Sequence, residues 1–230
     1  MRVKYWHKLK NSVMKAILVT GTDTGVGKTF VSYNLLYTLK EKGLKVGYLK
    51  PVETGAIDLP QDGSLLASLT GQPLEEVVPV RFRLPLSPYA GIMEEGKDFS
   101  LQMLKEHYLR MREKYEFLLV EGAGGVAVPI KKGYNYAHLA RDWELPLLLV
   151  ARAGLGTINH SFLSWHYIKS IGLELIGIVM NRFEGKDVSE RTNPLIVEEL
   201  TGTKVLKLPA VDGLLLSAEH RELLARFVGF

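Results

Sequence analysis

The residues most suggestive of chemistry stand together at positions 21–29, with the sequence Gly-Thr-Asp-Thr-Gly-Val-Gly-Lys-Thr. Glycines let the backbone N–H groups of such a loop surround an anion, and a following helix N-terminus favours negative charge. The loop ends in Lys28 and Thr29, types that bind the β- and γ-phosphates of a nucleotide and its Mg²⁺. The stretch therefore predicts the phosphate-binding loop (P-loop) of a nucleoside triphosphate enzyme.

The spacing within this loop departs from the usual pattern by one residue. The glycine expected five residues before Gly27 is replaced by Thr22, and Gly21 stands one position earlier. The surroundings support the motif, because the apolar run 16–19 predicts a buried strand before it and apolar residues at helical spacing follow it. The alternative is an ordinary glycine-rich turn between a strand and a helix.

Other residues at predicted strand ends could complete a Mg²⁺–phosphate site. Glu121 ends an apolar run like a metal-binding carboxylate, the alternative being a plain loop carboxylate. Asp62 could join the same ion or could instead cap a helix. Lys50 ends the second strand, where its charge could stabilise an anionic intermediate; otherwise it is a solvated surface lysine. Thr54 offers a hydroxyl to an anion, and the glycines of 122–125 would let the backbone approach a ligand.

A second anion site is predicted where the chain enters a later helix. Gly154, Gly156, Thr157 and Asn159 lead into that helix N-terminus, which is a ready place for negative charge. His160 beside it has no evident acidic partner, and we interpret it as structural. The residues thus indicate a nucleotide enzyme with two anion sites and leave the second substrate unnamed.

The elements that must position these residues follow from the alternation of apolar and amphipathic segments. We expect strands over 16–19, 45–49, 79–84, 117–122, 146–150, 174–180 and 204–208, and helices after the P-loop and over 61–70, 88–95, 100–114, 136–141, 157–171, 187–200 and 214–230. This order predicts one α/β domain, a doubly wound and mainly parallel sheet with helices on both faces. The candidate residues should then meet at the carboxyl edge of the sheet.

Composition narrows the class of protein. The 230 residues are 47% hydrophobic and contain no cysteine, which excludes disulfides and thiolate chemistry and fits a cytoplasmic protein. The net charge of +4 comes from residues 1–13, since the remaining chain carries 25 basic and 25 acidic residues. We therefore expect neither a nucleic-acid nor a membrane partner. We interpret 1–13 as a basic extension, disordered or loosely docked, before a domain of residues 14–230; a basic anchor for membrane or nucleic acid is the alternative.

Four motifs, in order along the chain, resemble those of the dethiobiotin synthetases. They are the P-loop at 21–29, whose extra residue that family shares, Lys-Pro-Val-Glu-Thr-Gly at 50–55, Glu-Gly-Ala-Gly-Gly with the following Val-Pro at 121–129, and Gly-Thr-Ile-Asn-His at 156–160. The resemblance covers residues 15 to 210, nearly the whole chain.

The resemblance implies an activity in biotin biosynthesis. Members of this family close the ureido ring of dethiobiotin from 7,8-diaminononanoate (7,8-diaminopelargonic acid), CO₂ and ATP with Mg²⁺. One amine is carbamated by CO₂, the carbamate oxygen attacks the γ-phosphate, and the second amine displaces phosphate from the mixed anhydride. The family forms homodimers with the substrate at the subunit interface.

The same resemblance gives roles to individual residues. Lys28 and Lys50 are expected to be catalytic. ATP would contact Asp23, Thr24, Gly25, Val26, Gly27, Lys28, Thr29, Phe30, Glu121, Gly122, Asn181 at the adenine edge and Pro209 beside the base. The metal ligands would be Thr29, Asp62 and Glu121. The substrate would contact Thr24, Lys50, Thr54, Gly124 and Asn159, the last supplied by the partner subunit for the substrate carboxylate.

Three other functions are alternatives to this interpretation. P-loop ATPases of the partition or septum-site type (ParA or MinD) act as switches on DNA or membranes, but they carry a signature lysine where this chain has Asp23. The synthetase domain of cobyrinate amidotransferases takes ammonia from glutamine by means of a cysteine on a second domain, and this chain has neither. The third is a nucleotide-gated binding module without catalysis. None of the three would release ADP in response to diaminononanoate.

Overall fold

The computed structural model describes residues 14–230, so the basic extension predicted at 1–13 lies outside the described residues. Within this range the strands are β1 (Ala16–Gly21), β2 (Val46–Leu49), β3 (Val52–Glu53), β4 (Val80–Arg81), β5 (Phe117–Gly125), β6 (Pro129–Lys131), β7 (Tyr134–Asn135), β8 (Leu147–Arg152), β9 (Leu175–Phe183) and β10 (Val205–Pro209). The helices are α1 (Lys28–Glu41), α2 (Gln61–Thr70), α3 (Leu74–Val77), α4 (Pro88–Glu95), α5 (Leu101–Lys114), α6 (Tyr136–Asp142), α7 (Thr157–Ser170), α8 (Val188–Thr201) and α9 (Ala218–Val228). Among residues 14–230, no helix combines the length and apolarity that a membrane crossing requires.

Six strands form one sheet in the order β10-β9-β8-β1-β5-β2, and every neighbouring pair is parallel. The chain leaves β1 in the middle, builds β2 at one edge, returns to β5, and then crosses to β8 on the other side of β1. This arrangement confirms the predicted doubly wound parallel α/β fold. Because the strands are parallel, their carboxyl ends meet at one edge of the sheet, on both sides of β1.

Helices cover both faces of the sheet, which explains why the central strands are apolar at every position. In β1, Ile17 and Val19 face a core shared with α1 and α9, whereas Ala16 and Leu18 face a second core shared with α5 to α8. Side chains alternate between the two faces of a strand. A strand buried on both faces therefore reads as a continuous apolar run, as the sequence of β1 does.

Some predicted boundaries need correction. The strand expected over 79–84 shrinks to β4, which pairs with β3 in a small sheet of its own. The last helix begins after Ser217 rather than at Leu214, because the Ser217 hydroxyl accepts a hydrogen bond from the first turn. Pro194 lies inside α8, and the helix begins at a cap formed by Asp187.

Candidate active site

A cavity of about 760 Å³ opens at the carboxyl edge of the sheet, beside β1, β2 and β5. The predicted site residues that line it are Thr24, Gly25, Gly27, Lys28, Thr29, Phe30, Lys50, Thr54, Asp62, Glu121 and Gly124. They come from separate stretches of sequence, and the parallel sheet brings them together because each stretch follows a strand that ends at this edge.

Glycine shapes the P-loop and opens the start of α1. Gly25 has φ of 74° and Gly27 has φ of 96°, both in the left-handed region. Gly27 is the N-cap of α1, and among residues 14–230 no side chain caps this helix, so its first N–H groups are open to an anion. A Cβ on Gly27 would collide with Nδ2 of Asn181. Conformation and space therefore both require glycine before the helix.

A buried network of charged and hydroxyl groups lies beneath the P-loop. Glu121 is fully buried, and its Oε1 accepts a hydrogen bond from the Thr29 hydroxyl at 2.8 Å while Oε2 accepts one from the Ser32 hydroxyl at 2.7 Å. Lys50 is 4% exposed; its Nζ lies 3.4 Å from Glu121 Oε1 and also contacts the Asp62 carboxylate. The alternatives of a loop carboxylate at Glu121 and a surface lysine at Lys50 are therefore wrong.

Burial disfavours the charged form of both lysines of the cavity, yet the pKa falls at Lys28 and rises at Lys50. Burial lowers the pKa of Lys28 despite the attraction of Glu121, and the charge of Lys50 lowers it further. Burial also opposes the charge of Lys50, but the carboxylates of Glu121, Asp62 and Glu53 outweigh it and hold the pKa of Lys50 above its usual range. The carboxylates thus favour the protonated form of Lys50, whereas burial disfavours that form of Lys28, an effect that a bound phosphate would oppose.

Asp62 reaches this network from the first turn of α2. Its backbone N–H and that of Gly63 donate to the two carboxylate oxygens of Glu53, at 3.0 and 2.9 Å. The N-cap of the helix is Pro60, so the alternative of Asp62 as the helix cap is wrong. Burial raises the pKa of Glu53, while the charge of Lys50 and the two amides act to lower it.

The three predicted metal ligands form an oxygen donor set that suits Mg²⁺. Thr29 offers a hydroxyl oxygen, and Asp62 and Glu121 offer carboxylate oxygens. Because the Lys50 ammonium contacts both carboxylates, the two carboxylates face one position that a cation can occupy. Within residues 14–230 no group of three His, Cys, Asp or Glu side chains could hold a metal by itself. Mg²⁺ is commonly bound by one or two carboxylates together with substrate phosphates, so these residues fit the ion in the presence of a nucleotide.

The glycines after Glu121 make room mainly for the protein itself. A Cβ on Gly122 would lie 3.2 Å from the Tyr136 ring, and one on Gly124 would lie 2.8 Å from Val128. Gly124 also lines the cavity and has φ of 67°. The strand β5 continues through these residues to Gly125, beyond the end expected for it at residue 122.

Several predicted nucleotide ligands lie outside the cavity lining: Asp23, Val26, Gly122, Asn181 and Pro209. Asn181 is buried, its Nδ2 donates to the carbonyl of Val26 at 3.1 Å, and its Oδ1 has no partner within residues 14–230. The Asp23 carboxylate lies 2.9 Å from Arg152 on the outer side of the loop. Pro209 ends β10 and is half-buried.

The second predicted anion site is separate from the cavity. Gly156 has φ of 85° and is the N-cap of α7, again without a side-chain hydrogen bond. Leu155 before it is 81% exposed, and Asn159 in the first turn is exposed as well. Neither Gly156 nor Asn159 lines the cavity. Among the described residues, the cavity and this helix N-terminus are therefore separate places on the chain.

Sequence reasoning missed several residues of the site. Ser32 was detectable, because it lies three positions after Thr29 on the same helical face. Glu53 lies between an apolar residue and Thr54, and a carboxylate in such an apolar stretch is a weak indication of a functional residue. Arg182 lines the cavity with φ of 57°, an uncommon conformation for a residue with a side chain. The lining residues Ala123 and Val128 lie within the motif at 121–129 but were given no role, and no motif marks Pro85, Leu86, Ser87 and Pro88.

The glycine loop, the open helix N-terminus and the buried Lys28–Glu121–Lys50 network define a P-loop enzyme that binds a nucleoside triphosphate. A family profile described as an AAA domain matches residues 15–214. An ATP-dependent dethiobiotin synthetase of Aquifex aeolicus is 61% identical over 212 residues, which cover 92% of this chain and 96% of that protein. The counterpart of Bacillus licheniformis is 41% identical over 198 residues, 84% of each chain. The chain belongs to the ATP-dependent dethiobiotin synthetase family.

A solved structure adds information on the fold alone. The crystal structure of a ParA family ATPase from Chlorobium tepidum matches with a TM-score of 0.56 over 93% of this chain and 90% of that one, at 12% identity. The sequence relatives confirm the predicted family and the prediction of an ATP-dependent ligase of biotin biosynthesis. They therefore weigh against the partition-type switch, whose likeness to this chain is limited to the P-loop ATPase fold.

Proposed function

We propose that the enzyme makes dethiobiotin from 7,8-diaminononanoate, CO₂ and ATP, through a carbamate and a carbamic–phosphoric mixed anhydride. The observation that supports this proposal most strongly is the placement of Lys50. Its side chain is a buried cation that lines the same cavity as the P-loop lysine, Lys28. A P-loop needs one lysine for its nucleotide. A second fixed cation beside it suits a second anion that must meet the γ-phosphate.

The nucleotide would lie with its phosphates over the start of α1. The free N–H groups of the first turn and the Lys28 ammonium would bind the β- and γ-phosphates. Phosphate charge would favour the protonated form of Lys28, which burial disfavours. On the base side, the buried and unpaired Oδ1 of Asn181 is an acceptor suited to the amino group of adenine.

Mg²⁺ bound to Thr29, Asp62 and Glu121 would neutralise charge on the phosphates. Glu121 is held on both of its oxygens by the hydroxyls of Thr29 and Ser32. These hydrogen bonds fix the orientation of the Glu121 carboxylate, while the Lys50 ammonium, which contacts Glu121 and Asp62, would shift towards the carbamate when the ion binds.

Lys50 and Thr54 would hold the carbamate against the γ-phosphate. The carbamate forms when an amine nitrogen bonds to the carbon of CO₂ and loses a proton. Its oxygen then bonds to the γ-phosphorus as the bond to ADP breaks. The second amine attacks the carbonyl carbon, phosphate leaves as the ring closes, and the attacking nitrogen gives up a proton, which the leaving phosphate can accept. Holding both amines near one carbon converts these steps to intramolecular ones, which is the main catalytic contribution.

We further propose a homodimer in which each site borrows the start of α7 from its partner. The exposed N-terminus of α7, with Gly156 and Asn159, is suited to bind the substrate carboxylate. It lies outside the cavity of its own chain.

The cytoplasmic location of the enzyme stays a prediction.

The test is phosphate release from ATP by the full chain in the presence of Mg²⁺ and bicarbonate, with and without diaminononanoate. We expect release that depends on the diamine and a product whose mass is that of dethiobiotin. Release that is independent of the diamine would contradict the proposal and favour an ATPase switch. A diamine of similar length without the carboxylate serves as the control, and we expect it to require far higher concentrations.

A further inference from the structure

Glu53 differs from the other acidic residues of the cavity because its carboxylate faces the backbone of its own chain. It is 4% exposed, and its two oxygens accept the N–H groups of Asp62 and Gly63 at 3.0 and 2.9 Å. The helix α2 begins after Pro60, which forms no side-chain cap. Glu53 therefore provides, from a different element, the acceptors and the negative charge that this helix N-terminus lacks.

This contact fixes Asp62 from behind. The Asp62 side chain is 39% exposed, and within residues 14–230 its carboxylate has Lys50 as its one hydrogen-bond partner. Such a side chain has few neighbours to hold it. The direction in which Asp62 points therefore depends on where the first turn of α2 sits, and Glu53 holds that turn through two backbone hydrogen bonds.

The lack of a side chain at Gly63 leaves room for the Glu53 carboxylate beside the first turn of the helix. A Cβ at Gly63 would collide with Val78 and would lie 2.9 Å from Oε2 of Glu53. Gly63 has no left-handed φ, and glycine in a helix costs about 1 kcal/mol relative to alanine. The space that it leaves is occupied by Glu53 on one side and by Val78 on the other.

We propose that Glu53 is a positioning residue, which holds the start of α2 so that the Asp62 carboxylate faces the Mg²⁺–phosphate site. The inference rests on the proposed role of Asp62 as a metal ligand. Groups that hold a ligating side chain in place typically contribute about 10- to 100-fold to metal affinity. The same size of effect is expected here, with little effect on nucleotide binding in the absence of the metal.

The test is the variant Glu53→Gln, whose amide can accept at one atom only and carries no charge. Mg²⁺ is titrated calorimetrically into the protein saturated with a non-hydrolysable ATP analogue. We expect about 10-fold weaker Mg²⁺ binding, and an analogue affinity without Mg²⁺ that changes less than about twofold. Glu116→Gln is the matched control, because the Glu116 carboxylate also accepts a backbone N–H, from Lys45 at 2.7 Å, but at the amino end of the sheet. The control should bind Mg²⁺ as the wild type does.

A double variant separates positioning from a general loss of stability. If Glu53 acts through Asp62, then Glu53→Gln should weaken Mg²⁺ binding no further in an Asp62→Asn background. Additive losses would overturn the proposal, as would a folded Glu53→Gln protein with Mg²⁺ affinity within about twofold of the wild type. If Glu53→Gln does not fold, Glu53→Asp is measured against the same thresholds. Failure of both variants to fold would overturn the proposal in favour of a purely structural role.

Turnover of the wild type distinguishes this inference from the proposed function. Diamine-dependent turnover in the wild type together with unchanged Mg²⁺ affinity in the variants would reject the role of Glu53 alone. Weakened Mg²⁺ binding in the variants without diamine-dependent turnover in the wild type would reject the proposed reaction and keep the role of Glu53.

Discussion

Two helices of this protein begin alike and lie in different surroundings. Both α1 and α7 follow a glycine in the left-handed region, Gly27 and Gly156, and neither glycine makes a side-chain capping hydrogen bond. The start of α1 lines the cavity above the buried carboxylate of Glu121. The start of α7 lies outside the cavity, next to Leu155, which is 81% exposed.

The difference shows what a helix N-terminus needs before it can do chemistry. Both helices have a left-handed glycine at the N-cap and a favourable dipole, but at α7 the N–H of Thr157 already donates to the carbonyl of Gly154 at 3.3 Å. At α1 the sheet adds two buried lysines and a carboxylate, so charge is fixed in a partly enclosed space where electrostatic interactions are strong. At α7 the residues around the start of the helix, Leu155, Gly156 and Asn159, are exposed, although Thr157 is buried. The start of α1 therefore lies among fixed charges, whereas the start of α7 has no part in the lining of this cavity.

The largest effect is expected from removing the second cation on the α1 side. Lys50→Ala should lower kcat by about 10³-fold while the ATP dissociation constant changes less than about threefold. Mg²⁺ and ATP are kept in excess, because loss of the lysine leaves Asp62 and Glu121 facing each other without a cation. Single-turnover kinetics and calorimetry measure the two quantities. Lys40→Ala is the control, since Lys40 contacts a backbone carbonyl away from the cavity. Equal losses of rate and ATP affinity would make Lys50 a nucleotide ligand only.

A matched pair of glycine variants tests the comparison directly. Both Gly27→Ala and Gly156→Ala impose a left-handed residue, which costs about 1–2 kcal/mol of stability. A Cβ at Gly27 also collides with Asn181, whereas one at Gly156 has its nearest neighbour, His160, at 4.0 Å. We expect both variants to lose thermal stability, and Gly27→Ala alone to lose ATP binding in calorimetry. Loss of ATP binding in Gly156→Ala would place the two helices in one site.

A smaller effect is expected from the polar side chain at the start of α7. Asn159→Ala should raise KM for the diamine by about 10-fold, with ATP affinity unchanged, because one hydrogen bond to a charged group is lost. If sites are shared between subunits, an equimolar mixture of Asn159→Ala and Lys50→Ala that exchanges subunits should show about a quarter of the wild-type rate at diamine concentrations well below KM. Half of the dimers are then mixed, and each mixed dimer contains one intact site. Mixtures that show only the sum of the two variants would mean that each site is built from a single chain.

The smallest effect is expected from the ion pair that links the two regions. Arg152, at the end of the strand before α7, lies 2.9 Å from Asp23 in the P-loop, and both side chains are about half exposed. Such pairs contribute about 0.2–1 kcal/mol. Arg152→Ala should weaken ATP binding less than about threefold at low salt, and the difference should vanish at high salt because the pair is screened. Arg141→Ala, which removes an exposed pair with Asp142, is the control. A tenfold loss that persists in salt would show that the pair shapes the loop.

Much of the fold and the core of the site could be predicted because their signals are local. Apolar strands alternating with amphipathic helices specify a parallel sheet, and such a sheet brings Lys28, Lys50 and Glu121 to one edge. The short strand at 79–84 could not be bounded in this way, because its pairing with β3 depends on a partner distant in sequence.

The sequence by itself determined the P-loop, the main parallel strands along the chain, the family and the edge at which the site lies, since each depends on neighbouring residues or on motif spacing. Only the tertiary structure decided that Lys50 is buried between two carboxylates, that Glu53 caps a helix to which it is not joined, and that Asn159 lies outside the cavity of its own chain. Burial and ion pairing depend on which elements pack against one another, and the pattern of residues within a single segment does not specify that packing.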